Sequence, residues 1–150
     1  MIYLWGIVLS GFLLALSAVD IREFRLPNVL TFPLIALGLI HSYLASELMA
    51  ALIGASLGYL AFVGIAYAFK RLRGVDGLGR GDAKLLAAGG AWVGWMGLPH
   101  IVIIASSLAI AGVILMRLRG SEITSQSPVP FGPFLAVGIA ISWGVKNILI

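Results

Sequence analysis

Five stretches of this chain, residues 1–19, 26–46, 48–69, 85–116 and 123–145, contain no Asp, Glu, Lys or Arg. Each is about as long as, or longer than, the roughly 20 apolar residues a helix needs to cross a bilayer. A water-soluble globule of 150 residues has too little interior to hide that much apolar chain. In lipid the backbone must satisfy its own hydrogen bonds, which a helix does within one segment. The expected fold is therefore all-α, a polytopic integral membrane protein. Composition agrees: 61% of the residues are hydrophobic and 11% charged, against roughly 25% charged in a soluble domain, and the mean hydropathy is +1.08.

The stretch 85–116 is too long for one ordinary span, and Gly97-Leu98-Pro99-His100 inside it supplies a break. Splitting there gives helices at about 82–98 and 99–116, and six spans in all. The basic residues test the split. Arg22 and Arg25 lie between the first two spans; Lys70, Arg71, Arg73, Arg80 and Lys84 between the third and fourth; Arg117 and Arg119 after the fifth. With six spans these loops share one face and only Lys146 lies elsewhere. Five spans would move Arg117 and Arg119 across. Lys and Arg accumulate on the cytoplasmic side, so six transmembrane helices with both termini on the non-cytoplasmic side are expected. Residues 1–19 lack the positive start of a signal peptide and read as the first span. Residues 1–150 are read as a single membrane-embedded domain.

The net charge of +4 thus reports orientation and gives no reason to expect a nucleic-acid partner. Lipid is the expected surrounding. With no cysteine there is no disulfide, thiolate chemistry or cysteine metal site. His41 and His100 fall near the predicted outer boundary, form no ligand set with Glu47, and read as interfacial histidines. No metal and no cofactor are expected. The pairs Gly54/Gly58 and Gly90/Gly94 have the spacing that lets helices approach closely, and the Ser- and Pro-containing segment 121–130 reads as a linker.

Five of the six acidic residues, Asp20, Glu23, Asp76, Asp82 and Glu122, fall on the basic face. Singly, each has a plain reading. Asp20 is an interfacial residue paired with a nearby arginine, Asp82 the N-cap of the fourth span, and Asp76-Gly77 a turn. Together, Asp20 at the end of the first span and Asp82 at the start of the fourth stand at one membrane depth. If those helices pack side by side, the carboxylates cannot both ionise and share one proton. One then acts as base towards water while the other polarises a carbonyl, which is peptide hydrolysis without a covalent intermediate. Gly79 and Gly81 free the backbone around Arg80 to place Asp82 or approach a substrate strand.

Three blocks resemble the type IV prepilin peptidases, membrane aspartyl proteases with a Gly-x-Gly-Asp signature. They are Asp20-Ile21-Arg22-Glu23-Phe24-Arg25-Leu26-Pro27-Asn28, Gly79-Arg80-Gly81-Asp82-Ala83-Lys84-Leu85, and Pro130-Phe131-Gly132-Pro133-Phe134. The resemblance implies that Asp20 and Asp82 are the catalytic pair. Gly79 and Gly81 would shape the loop, Lys84 would support the site, and Pro27 and Asn28 would start the second span beside it. The implied substrates are prepilins or pseudopilins with a short basic leader, cut after glycine at the cytoplasmic face of a bacterial inner membrane, and with a hydrophobic helix beyond the cut. Larger members carry an extra cytoplasmic domain with paired cysteines, linked to methylation. The chain is similar to the short enzymes of tight-adherence pili, and a peptidase alone is expected. A small transporter and a non-catalytic subunit of a pilus or secretion machine are the rival readings. The absence of an ionisable group at mid-membrane weighs against the transporter.

Overall fold

The most enclosed segment of the chain is one of its short helices. In the computed structural model, which describes residues 1–76, 79–124 and 127–149, α4 (Arg80–Val93) has 14 residues, and every one from Leu85 to Val93 is buried. It is flanked by α2 (Asn28–Leu44), α3 (Leu48–Arg73), α5 (Leu98–Leu118) and α6 (Gly132–Gly144), while α1 (Ile2–Glu23) packs on α6 and α2. No strand occurs among the described residues.

Small residues make this nesting possible. A Cβ on Gly54 would lie 2.5 Å from the Gly90 carbonyl oxygen, and one on Gly58 would lie 2.8 Å from that of Leu86. The Gly54/Gly58 pair therefore lets α3 press directly on the α4 backbone, as its spacing suggests. The second pair divides. Gly90 meets Gly54, but Gly94 has φ +84° and ends α4. The chain then makes a 3₁₀ turn at Trp95–Gly97 before α5 begins at Leu98 with Pro99 in its first turn. The break expected around Gly97 to His100 thus comes earlier. A left-handed backbone at Gly94 sets it, and the helix expected over 82–98 is really 80–93. Leu34 accepts a hydrogen bond from the Trp92 indole and Ala91 from the Ser42 hydroxyl, both at 2.8 Å, fastening α2 to α4.

Four segments, Ile2–Glu23, Leu48–Arg73, Trp95–Leu118 and Gly132–Leu149, are long and apolar enough to cross a membrane, and Asn28–Leu44 is a shorter apolar helix. At 1.5 Å per residue, α4 extends only about 21 Å, and its small, buried residues face protein. Ile7, Leu14, Leu60, Ile103 and Ile110 are each more than half exposed on the outer helices. A surface of that kind needs lipid around it.

The helices alternate in direction. One end gathers the close of α1 and the starts of α2, α4 and α6. The other gathers Trp5, His41, Glu47, Val93, Trp143 and Lys146. His41 corrects an expectation. It stands at the expected end of the bundle but is enclosed by protein, 8% exposed, stacked on Trp92 and flanked by Trp5 and Trp143. His100 is exposed. Of the Asp76-Gly77 turn, Gly77 lies outside the described residues. In the segment 121–130, whose Ser125 and Gln126 also lie outside them, the described residues are not helical.

Candidate active site

Asp20 sits in the last turn of α1 and is only 5% exposed. The helix ends just beyond it because Phe24 turns left-handed, φ 52°, and returns its N–H to the Asp20 carbonyl at 2.9 Å. Pro27, extended at φ −69° and ψ 139°, then opens α2 at Asn28. The Asp20 carboxylate has no arginine partner among the described residues. Its Oδ2 instead accepts the backbone N–H of Gly132, the first residue of α6, at 2.9 Å. That N–H is one of the donors a helix start leaves without an internal partner. A Cβ at position 132 would come within 2.5 Å of Oδ2, so only glycine fits the approach.

Asp82 is partly buried in the first turn of α4. The N-cap is Gly79, not Asp82. The two glycines before it differ. A Cβ on Gly81 would lie 2.9 Å from the Leu26 side chain, so this position needs its glycine for close packing. Gly79 has an ordinary φ of −71°, and a Cβ there would lie 3.7 Å from Asp82 Oδ2. Gly81 is thus explained by its contact with Leu26, which the sequence reading of a freely placed backbone did not foresee.

The two aspartates line one cavity of about 490 Å³ at this end of the bundle, with Glu23, Pro27, Asn28 and Lys84. Lys84 lies on the same helix as Asp82 but does not pair with it. Its Nζ donates to Asn28 Oδ1 at 2.6 Å and stands 5.5 Å from the centre of the Phe32 ring, tying α4 to α2. All seven site residues expected from the sequence, Asp20, Pro27, Asn28, Gly79, Gly81, Asp82 and Lys84, therefore meet in one place. The residue that sequence reasoning missed is Gly132. Its block stood out by resemblance, but nothing in the spacing reveals a contact across 112 positions.

A buried carboxylate fixed by a backbone donor, and a second one reaching the same cavity, can hold a water between an acceptor and a donor. Such a pair can deliver it to a peptide carbonyl.

The sequence model described as the type IV leader peptidase family matches residues 7–115. A prepilin leader peptidase/N-methyltransferase of Pseudomonas aeruginosa is 46% identical over 143 residues, covering 92% of this chain and 49% of the relative. Proteins of the same name from Aeromonas salmonicida and Burkholderia pseudomallei are 45% identical over 149 residues and 46% over 132. These matches cover 93% and 87% of this chain, and 50% and 42% of the relatives. The chain thus spans about half the length of the curated relatives it matches. No solved structure matches it.

Proposed function

This chain belongs to the type IV leader peptidase family, and from that premise we propose that it is a membrane aspartyl endopeptidase removing the short basic leader from prepilins or pseudopilins. The observation that carries the reading is the meeting of Asp20 from α1 and Asp82 from α4 in one cavity. In the proposed reaction, one carboxylate is ionised and the other protonated. The first takes a proton from water as the water oxygen bonds to the scissile carbonyl carbon. The second gives its proton to the carbonyl oxygen, and a gem-diol forms. The first then passes its proton to the amide nitrogen as the C–N bond breaks. A diol hydroxyl returns a proton to the second, and both carboxylates regain their starting state. The Gly132 N–H donates to Asp20 Oδ2, and in this reading Oδ1 serves the water.

The proposal puts this end of the bundle at the cytoplasmic face of a bacterial inner membrane, with six spans and both termini on the other side; the clustering of basic residues in the loops at this end supports it. A basic leader stays on the cytoplasmic side for the same reason, so the bond after its glycine and the two aspartates share a face. Gly79, Gly81, Pro27 and Asn28 shape the cavity, and Lys84 braces α4 against α2.

Co-expression of a prepilin with D20N or D82N tests the proposal, leader loss being visible as a gel shift. Each variant should slow processing by roughly 10²- to 10⁴-fold, the usual worth of a general acid or base. Normal processing by either would exclude the paired mechanism and favour a non-catalytic subunit.

A further inference from the structure

The helices that supply Asp20 and its backbone donor, α1 and α6, also wall a second cavity of about 670 Å³ towards their opposite ends, lined by Ser10, Gly11, Leu14, Ala140, Trp143 and Gly144 among others. Two of its three glycines are unexplained by the fold. The third, Gly6, packs against the Trp143 ring, whereas a Cβ built on Gly11 or Gly144 meets no heavy atom of the described residues within 4 Å, and neither residue has a positive φ. Gly54, Gly81, Gly90 and Gly132, by contrast, are each required by a neighbour. Glycine is a poor helix former, and membrane helices keep small residues where another helix comes close. Beside Gly11 and Gly144 no described helix of this chain does. Trp143, 5% exposed, lines the same cavity, and its indole N–H has no acceptor among the described residues.

We propose that this α1–α6 groove docks the hydrophobic helix of the substrate, the segment that follows the scissile bond. This rests on the peptidase reading above. Continuity favours the substrate over a second copy of the chain. From the groove, Leu14, Ala18 and Ile21 continue as an exposed row along α1 to the position beside Asp20. The register follows from helix geometry. Gly11 lies nine residues before Asp20, or about 13–14 Å along the axis. A substrate helix running back from the cut should therefore meet Gly11 with about its ninth residue.

The absence of cysteine makes the test clean. Gly11→Cys in a D82N background, which holds uncleaved substrate, is mixed in membranes with prepilins carrying one cysteine at successive positions after the cut. Cross-linking should peak near the ninth residue and recur about one helical turn away. A dimer linked through Cys at position 11, with no substrate cross-link, would assign the groove to a second copy and overturn the proposal, as would no cross-link at all. Gly11→Leu and Gly144→Leu supply the kinetic arm. Each should raise KM for whole prepilin about tenfold more than KM for a leader peptide ending shortly after the cut. Gly64→Leu, another position open to space, should leave both unchanged. Unaltered KM for prepilin in both groove variants would overturn the docking proposal alone. A wild-type protein that cleaves neither substrate would instead overturn the peptidase reading.

Discussion

At one end of the bundle Trp92 is fully buried, with His41 stacked on it at 5.3 Å and Trp5 and Trp143 edge-on at 6.0 and 6.4 Å. At the other end Asp20 and Asp82 share an open polar cavity with Asn28 and Lys84. The aromatic end draws one residue from each of α1, α2, α4 and α6, and Lys146 closes it by bonding both Glu47 and the Val93 carbonyl. The carboxylate end is held by single hydrogen bonds, Gly132 to Asp20 and Lys84 to Asn28. The same helices run through both. At the aromatic end Trp5 and Trp92 join α1 to α4 directly, and this packing contributes to how the two helices sit at their carboxylate ends. Stability and chemistry are thereby placed at opposite ends.

That division predicts opposite effects of substitution. Trp92→Ala should cost about 3–5 kcal/mol of stability, the usual range for emptying a buried aromatic site, read as thermal unfolding in detergent. A loss below about 1 kcal/mol would mean that the aromatic cluster does not hold the helices. Gly132→Ala should do the reverse. It should lower kcat by roughly ten- to a hundredfold, about 1.4–2.7 kcal/mol in barrier, with unfolding little changed, because its Cβ displaces the Asp20 carboxylate. Equal losses of stability and kcat would erase the distinction between the ends. Asn28→Ala should be milder, a drop of roughly fivefold in kcat/KM, since Lys84 loses one hydrogen-bond acceptor. An effect as large as that of Gly132→Ala would make Lys84 a participant in the reaction instead of a brace.

Much of the site was legible because charge is scarce in this chain. Asp20 and Asp82 stand out against apolar spans, and their basic neighbours mark a common face. The packing role of Gly54 and Gly58 was legible from spacing. Three features were not. The end of α4 at Val93 lies inside one uninterrupted apolar stretch, and only the left-handed backbone at Gly94 sets it. The burial of His41 was hidden because in lipid both the inner and outer faces of a helix are apolar, so periodicity does not say which way a residue points. The Gly132 to Asp20 bond joins helices whose adjacency no local pattern encodes.

The central claim is that Asp20 and Asp82 act as one unit. The most direct test measures leader cleavage for D20N, D82N and the double variant, with tryptophan fluorescence from the distant aromatic end as a check of folding. The account predicts unchanged fluorescence, a large loss in each single variant, and a double variant no slower than the slower single one, because residues acting as a unit are not additive. Losses that multiply in the double variant, or a single variant that cleaves at the normal rate, would contradict it.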